Sequence, residues 1–264
     1  MFLAWPRLII FAAFTVLLMP AQALSVAFGW RSRRWIPWKY HQAVCALIGV
    51  RVHVVGTCSQ RRPLLIVANH SSWIDIIIIS AAAPVVFVAK REVVGWPFLG
   101  LLARLQRTVF VDRQRRHKTG EVNAEIARRL VDGDPVVLFG EGTSSDGNRV
   151  LPFRTALIGA AHTALTEAQV GHVDVQPLSL AYVRRHGLPL GREERRSLAW
   201  YGGIDLWPHL MNVLRRGAVD VVLTWGEPIA YDAGTDRKKF AGEIESTVRQ
   251  TTAAARRGHI RMPV

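Results

Sequence analysis

Two strongly apolar runs, separated by a short polar segment, constrain the fold more than any other feature of this sequence. The first run covers residues 64–67 and the second covers residues 76–79. The first predicts a strand that is buried on both faces, and the second predicts a buried helix or another apolar element. Ser71 or Ser72 is a candidate N-cap for such a helix. The polar segment between the runs therefore has to turn the chain at the edge of a core.

An ionisable pair, His70 and Asp75, lies in this polar segment. A histidine at the end of a strand and an aspartate one turn into the next helix can share a hydrogen bond. The carboxylate then fixes the tautomer of the imidazole and raises its basicity, which is what a general base needs. The alternative is structural, with a satisfied turn histidine and an aspartate that caps the helix.

Elsewhere in the chain, short apolar runs alternate with segments of helical periodicity. The predicted strands are 52–56, 64–68, 85–89, 108–111, 136–139, 173–182 and 219–225. The predicted helices are 40–50, one that starts at 96–100, 118–130, 154–168, 205–214 and 235–255. This alternation predicts an α/β fold with a mixed, largely parallel sheet flanked by helices. No Pro/Gly/Ser-rich linker divides the 264 residues, which favours one large domain with an N-terminal extension.

The N-terminal extension has no charged residue at positions 8–30, although Pro20 and Gln22 interrupt its apolar character. It predicts a membrane anchor, either one spanning helix or a Pro-broken interfacial hairpin, with a cleaved signal peptide as the alternative. Positive charge directly downstream favours a retained anchor, and it comes from Arg31, Arg33 and Arg34. We therefore expect a membrane anchor with an interfacial collar at 1–39 and a catalytic domain at 40–264.

The charge of the chain predicts an anionic partner. There are 34 Lys and Arg residues against 20 Asp and Glu residues, a net charge of +14. Phospholipid headgroups and nucleic acid both suit such a surface, but nine tryptophans favour a membrane, and no RNA-binding or zinc-finger signature is present. The two cysteines, Cys45 and Cys58, match no disulfide framework and no metal site. We expect an anionic membrane as partner, no nucleic acid and no metal.

A glycine-rich loop at 140–147 follows a predicted strand. Its backbone N–H groups can cradle an anion, although it matches neither a P-loop nor a dinucleotide fingerprint, and a plain turn is the alternative. Arg154 stands where a helix is predicted to begin, and Arg113 follows another strand. Because parallel strands end at one edge of a sheet, both arginines and the backbone of residues 141–143 can meet His70 in one crevice.

Together these features resemble the glycerolipid acyltransferases, a family that includes the 1-acylglycerol-3-phosphate acyltransferases. The spacing of His70 and Asp75 is similar to the H-x4-D signature of that family. Three further blocks follow in the family's order and spacing: Phe110-Val111-Asp112-Arg113, Phe139-Gly140-Glu141-Gly142-Thr143 and Val175-Gln176-Pro177-Leu178. The resemblance covers about residues 40 to 230.

The chain departs from the family pattern at three positions. Gly140 replaces the usual Pro of the third block, Arg107 stands where the second block often has Gly, and Ser144 replaces a frequent Arg. The segments 144–147 and 201–205 resemble a bacterial branch that contains both phosphatidic acid makers and lyso-ornithine lipid acyltransferases. The departures leave the proposed base intact and bear on the headgroup of the acceptor.

The resemblance implies a mechanism without an acyl-enzyme and without a cofactor. His70 takes the proton from the free sn-2 hydroxyl of a lysophospholipid, and Asp75 orients the imidazole. The acceptor oxygen then attacks the thioester carbonyl of acyl-CoA or acyl carrier protein, which serves as co-substrate.

The resemblance and the expected crevice together indicate the residues that bind substrates: Arg113, Glu141, Gly142, Thr143, Arg154 and Lys90. Arg113 grips the acceptor phosphate, and the backbone of Gly142 and Thr143 adds N–H donors. Glu141 hydrogen-bonds the hydroxyl groups of the acceptor. Lys90 is a candidate for the phosphates of the thioester donor, with a solvated surface lysine as the alternative.

The acceptor that we expect first is 1-acylglycerol-3-phosphate, giving phosphatidic acid, and lyso-ornithine lipid is the alternative. A serine hydrolase lacks support because the chain has no G-x-S-x-G nucleophile elbow. A non-enzymatic basic membrane-binding protein would explain the charge but not the His-Asp turn. We expect the bacterial inner membrane, with the catalytic domain on its cytoplasmic side. A basic loop at 184–196 suits an anionic membrane or CoA, or is simply solvated.

Overall fold

The computed structural model of the protein describes residues 4–111, 119–155, 159–168 and 170–262. Within these residues the chain forms a nine-stranded sheet. Its strands are β1 (Val50–Val55), β2 (Leu64–Ala68), β3 (Val86–Lys90), β4 (Val109–Val111), β5 (Val136–Phe139), β6 (Val173–Arg185), β7 (Leu188–Pro189), β8 (Val219–Trp225) and β9 (Ile229–Tyr231). The predicted bounds of β2, β5 and β8 are confirmed.

The strand order β1-β8-β6-β2-β5-β3-β4 makes the sheet mixed and largely parallel, as predicted. Strands β2 to β6 run parallel to one another. Strand β8 pairs antiparallel with β6, and β1 pairs parallel with β8. Strands β7 and β9 pair antiparallel with opposite ends of β6. The carboxyl ends of β2, β3, β4 and β5 therefore meet at one edge.

Helices cover both faces of the sheet. They are α1 (Ala4–Ala27), α2 (Ser32–Ile48), α3 (Ile74–Ala82), α4 (Leu99–Leu105), α5 (Thr119–Val131), α6 (Gly159–Ala168), α7 (Arg192–Leu198), α8 (Leu206–Arg216) and α9 (Arg237–Arg256). Helices α2, α3 and α8 pack on the face that contains Leu64 and Ile66 of β2, whereas α5, α6 and α9 pack on the face that contains Leu65 and Val67. Burial on both faces explains the unbroken apolar run of β2.

Strand β6 is much longer than the strand it joins. Its first half pairs with β2 through Leu64↔Asp174 to Ala68↔Leu178. The remainder, residues 179–185, continues past the end of β2 and pairs with β8. Residues 179–185, hereafter the β6 extension, lie against the polar segment that follows β2 and form hydrogen bonds with it.

Three predicted helix starts are wrong. Helix α2 begins at Ser32 rather than at residue 40, so the predicted collar is helical. Helix α4 begins only at Leu99, after a 3-10 helix at Arg91–Gly95, because Phe98 has a positive φ and interrupts the helical path. Helix α6 begins at Gly159 rather than at Arg154.

Pro37 lies inside α2. Proline has no N–H, so it leaves the carbonyl oxygen four residues earlier without its helical donor. Here that oxygen belongs to Arg33, and the side-chain amide of Gln22 on α1 donates to it at 3.0 Å. The same amide also donates to the Leu105 carbonyl at the end of α4, at 2.8 Å. A contact between helices thus replaces the missing bond.

Helix α1 is unbroken at Pro20 and forms a hairpin with α2, hereafter the α1–α2 hairpin. Its length and apolar composition are sufficient to cross a membrane. Its polar residues face the protein: Thr15 bonds the Tyr40 hydroxyl at 2.8 Å, and Ser25 bonds Ser32 at 2.9 Å. Large apolar side chains on the opposite side are exposed, including Trp5, Ile9, Ile10, Val16, Leu17 and Leu24. The predicted boundary at residues 39 and 40 falls within α2.

A buried ion cluster ties the α1–α2 hairpin to the sheet. The side chain of Asp134, only 1% exposed, pairs with Arg107 and, at 2.6 Å, with Arg34 of α2. Arg107 precedes β4 and Asp134 precedes β5, so the cluster lies at the amino ends of these strands. The departure from the family pattern at Arg107 therefore has a structural role on the edge opposite the His-Asp turn.

We expect Asp134→Asn to lower the free energy of unfolding by about 3 kcal/mol, since it leaves the buried Arg107 guanidinium without its closest counter-charge. Thermal unfolding of the purified protein in detergent micelles measures the change. Glu193→Gln is the control, because it breaks an exposed ion pair with Arg196. Equal unfolding temperatures for both variants would contradict the role of the cluster.

Candidate active site

The predicted His70–Asp75 pair forms at the carboxyl end of β2. The imidazole Nδ1 lies 2.9 Å from the Asp75 Oδ2 oxygen. The His70 side chain is 18% exposed, and the Asp75 side chain is completely buried. Within the described residues, the other imidazole nitrogen, Nε2, has no hydrogen bond. One ring nitrogen is thus held by a carboxylate, and the other is left to exchange a proton with a substrate.

The Asp75 carboxylate accepts four hydrogen bonds. Besides the imidazole, Oδ2 receives the backbone N–H groups of Ser71 at 2.7 Å and Ser72 at 2.9 Å. Oδ1 receives the Tyr182 hydroxyl at 2.6 Å. These bonds compensate for the loss of water around a fully buried carboxylate.

The predicted serine cap of α3 is wrong. Trp73 occupies the N-cap position and makes no side-chain capping bond. The Ser72 hydroxyl is buried and has no partner among the described residues. Asp75 lies in the first turn of α3 and accepts the backbone N–H groups of Ser71 and Ser72 just before the helix. A negative charge at this position also stabilises the amino end of the helix.

The backbone on either side of His70 is also clamped. Asn69 uses its side-chain amide to donate to the Leu180 carbonyl at 2.9 Å and to accept from the Leu180 N–H at 2.8 Å. The His70 ring stacks on Phe139 with centroids 3.8 Å apart. The Ser145 N–H donates to the His70 carbonyl at 2.9 Å. The imidazole is thereby held by β5, β6 and the loop that follows β5.

Glu141 lies beneath His70 rather than in the crevice. It is 2% exposed, and its two oxygens accept the backbone N–H groups of His70 at 2.8 Å and Leu151 at 3.0 Å. Burial raises the pKa of Glu141 to about 7 against these hydrogen bonds and the charge of Arg256, with Asp75 raising it further. This geometry gives Glu141 a positioning role and does not favour the predicted contact with acceptor hydroxyl groups.

The loop after β5 brings Gly142, Thr143 and Arg154 together. The Gly142 N–H donates to the Phe139 carbonyl at 2.9 Å, so it closes a turn and is not the anion donor that we predicted. Gly142 has a φ of +66°, and a Cβ there would lie 2.9 Å from the Arg154 side chain, so glycine lets this side chain cross the loop. Thr143 and Arg154 are exposed.

The backbone of Arg154 is hydrogen-bonded, whereas its side chain is exposed. Its N–H donates to the Gly140 carbonyl at 2.8 Å. Within the described residues, its guanidinium has no hydrogen bond and no ion pair. The prediction that Arg154 begins a helix is wrong. Arg154 lies in an irregular stretch beside the turn, and its exposed guanidinium can bind an anion there.

The remaining predicted residues lie farther along the same edge or beyond the described ranges. Lys90 ends β3 and is exposed. Two strand spacings separate β3 from β2, which is about 10 Å across the sheet. Arg113 lies outside the described residues, and β4, which precedes it, ends at the same edge. The predicted basic loop at 184–196 consists instead of the end of β6, β7 and part of α7.

Two supporting residues were missed by the sequence analysis. Tyr182 is a buried tyrosine in the second half of β6, and a buried phenol usually needs a hydrogen-bond partner. His209 of α8 accepts the Trp73 indole N–H at 3.0 Å, and burial lowers its pKa. The partners of both residues lie more than 100 residues away, so the sequence alone did not indicate them.

Comparison with known proteins connects this geometry to a family. The acyltransferase family profile matches residues 49–181. The lyso-ornithine lipid O-acyltransferase of Brucella abortus is 49% identical over 92% of this chain and 91% of its own length. The enzyme of the same name from Rhizobium meliloti is 47% identical over 94% and 85%.

The chain belongs to the glycerolipid acyltransferase family. A 1-acyl-sn-glycerol-3-phosphate acyltransferase from Neisseria gonorrhoeae is 39% identical over 40% of this acyltransferase and 43% of its own chain. The crystal structure of the 1-acyl-sn-glycerophosphate acyltransferase from Thermotoga maritima superposes with a TM-score of 0.67 over 98% of both chains at 20% identity, which shows the shared fold.

This acyltransferase acts on lysolipids at a membrane, as the family and the apolar α1 indicate. Its first and third family blocks begin at the carboxyl ends of β2 and β5, at one edge of the sheet. The first contains the His-Asp pair, the third contains Glu141, and the fourth forms the part of β6 that pairs with β2.

The raised pKa of Glu141 predicts a pH-dependent stability. The native state holds this proton more tightly than the unfolded chain, so the stability it adds is complete below about pH 4.5 and is lost as the pH rises through about 7. We expect Glu141→Gln to remove roughly 2 kcal/mol of this pH dependence. Thermal unfolding at pH 5 and pH 8 in the same detergent measures it. Parallel curves for the two proteins would assign the pH dependence to another group.

Proposed function

We propose that this acyltransferase esterifies the free hydroxyl group of a lyso-ornithine lipid. The observation that carries the proposal is the match, along nearly the whole chain, to two enzymes of that name. The acceptor expected first from the sequence, 1-acylglycerol-3-phosphate, has less support, because the relative from Neisseria gonorrhoeae matches less than half of the chain.

His70 is the general base in this proposal. Its Nε2 takes the proton from the acceptor hydroxyl while the oxygen bonds to the thioester carbonyl carbon. The carbon–sulfur bond then breaks, and the leaving thiolate recovers the proton from the imidazolium. Asp75 holds Nδ1 and stabilises the positive charge during both steps. The donor is acyl-CoA or acyl carrier protein, and no resident cofactor or metal takes part.

Arg154 is the cation that we assign to the headgroup. Its guanidinium is exposed beside the turn at Gly142, on the loop that also holds the backbone of His70. The carboxylate of an ornithine headgroup and the phosphate of 1-acylglycerol-3-phosphate both suit a guanidinium. The backbone N–H of Thr143 is a further donor. Arg113 and Lys90 remain candidates, respectively, for the acceptor and for the phosphates of the thioester donor.

The second candidate function is acylation of 1-acylglycerol-3-phosphate to phosphatidic acid. It is favoured by the Neisseria gonorrhoeae relative and by the shared fold with the Thermotoga maritima enzyme. Because the same base serves either hydroxyl group, the two functions differ only in the groups around the headgroup.

A competition between acceptors tests the proposal. We expect membranes that contain the protein to transfer labelled acyl groups to lyso-ornithine lipid with at least tenfold higher kcat/KM than to 1-acylglycerol-3-phosphate. His70→Ala is expected to abolish both activities while circular dichroism remains unchanged, because only the base is lost. A preference for 1-acylglycerol-3-phosphate would select the second candidate, and full activity in His70→Ala would refute the mechanism.

We further propose that the α1–α2 hairpin lies flat in one leaflet of the membrane. Support comes from its inverted polarity, with Thr15, Gln22 and Ser25 buried against the protein and the apolar side exposed. Arg7 near the start of α1 donates to the Leu214 carbonyl of α8, whereas Gln22 bonds α4. A helix that is bonded to the domain near both ends lies along it and suits an interfacial position.

Although the boundary falls within α2, we propose that residues 1–39 act as the membrane anchor and residues 40–264 as the catalytic domain. The anchor contributes the apolar face, and the remainder contributes the sheet and the base. We propose the cytoplasmic face of the bacterial inner membrane, where anionic lipids attract a chain with a net charge of +14.

A charge-insertion pair tests the flat hairpin. Ile9→Asp with Leu17→Asp is expected to weaken binding to phosphatidylcholine–phosphatidylglycerol vesicles by at least tenfold, because both side chains lie on the exposed apolar face. Leu188→Asp is the control, since Leu188 is an apolar side chain that is 71% exposed on β7 and is not part of the hairpin. Vesicle flotation measures bound protein, and equal binding of all three proteins would contradict the proposal.

A further inference from the structure

The β6 extension brings a buried phenol to the catalytic carboxylate. Tyr182 is 4% exposed and lies in the core cluster beneath α3. Its hydroxyl donates to Asp75 Oδ1 at 2.6 Å, across 107 residues of sequence. Leu180, two residues earlier on the same face of the strand, holds Asn69 through its backbone. One strand therefore supports both ends of the segment that carries His70.

We infer that Tyr182 is a positioning residue that fixes the rotation of the Asp75 carboxylate and thereby orients the base. The inference rests on the proposed role of His70 and deepens it. Tyr182 lies behind Asp75 and acts through it, so it is not expected to contact either substrate.

The distribution of hydrogen bonds on Asp75 carries this inference. Oδ2 receives three donors, whereas Oδ1 receives only Tyr182 among the described residues. The terminal torsion of an aspartate is broad and roughly two-fold, so rotation by itself does not distinguish the two oxygens. The phenol makes them inequivalent, because it anchors one oxygen on the side away from the imidazole. Without the phenol, the buried Oδ1 oxygen would lack a hydrogen-bond partner. Rotation of the carboxylate would then disturb the bond between Oδ2 and His70.

The phenol remains a donor throughout the working pH range. Burial raises the pKa of Tyr182 well above its ordinary value, and the charge of Asp75 and its hydrogen bond raise it further. Among the described residues, the other titratable groups that act on this pair are His70, Glu141 of the loop after β5, and Cys45 of α2. Burial raises the pKa of the Cys45 thiol to about 12, so the thiol is neutral at physiological pH.

Tyr182→Phe tests the inference because it removes only the hydroxyl group. We expect kcat to fall about tenfold, with KM for acceptor and donor unchanged within about twofold. Tyr231→Phe is the matched control, with a buried ring on β9 that packs against Phe240.

A double-mutant cycle separates positioning from folding. In an Asp75→Asn background, we expect Tyr182→Phe to change the residual kcat by less than about twofold, because the carboxylate that the phenol orients is gone. The same tenfold loss in both backgrounds would overturn the inference, as would a kcat of Tyr182→Phe equal to that of the unmodified enzyme. Full activity in His70→Ala would instead refute the proposed function, so the two failures are distinguishable.

Discussion

The hydrogen bonds to one fully buried carboxylate, that of Asp75, are the interactions on which the rest of this structure depends. Asp75 has no contact with water, and a charge in such a place is tolerated only when each oxygen is supplied with donors. Those donors come from the end of β2, the polar segment and the β6 extension, so the charge is satisfied only when these elements have assembled. The groups that hold Asp75 against His70 are therefore the same groups that close the core at this edge.

Much of this arrangement could be predicted from the sequence, because local signals were strong where burial was complete. The unbroken apolar runs gave the limits of β2, β5 and β8, and the polar segment between two such runs revealed His70 and Asp75. The misjudged features depend on distant parts of the chain. Helix α2 continues through Pro37 only because Gln22 supplies a donor from α1. Glu141 lies in a motif that predicts a substrate ligand, yet its two carboxylate oxygens accept the backbone N–H groups of His70 and Leu151.

In the proposed mechanism, the residues that carry out the reaction are separate from the residues that select the acceptor. The dyad, its clamps and Glu141 belong to the sheet edge and are buried, whereas Arg154 and Thr143 are exposed on the outer side of the same loop. Substitutions on the outer side can change the headgroup that is held without disturbing the base. This separation fits a family in which relatives named for different lysolipids share one fold.

The inverted polarity of the α1–α2 hairpin has a kinetic consequence. If the hairpin has its apolar side in a leaflet, as proposed, and its polar side bonded to the domain, it keeps the sheet edge that carries His70 at a constant height above the lipid surface. Acceptors then arrive by lateral diffusion in two dimensions, and the rate follows their mole fraction among the surrounding lipids rather than their bulk concentration. Diluting the acceptor with inert lipid should slow turnover even when the total amount of acceptor stays the same.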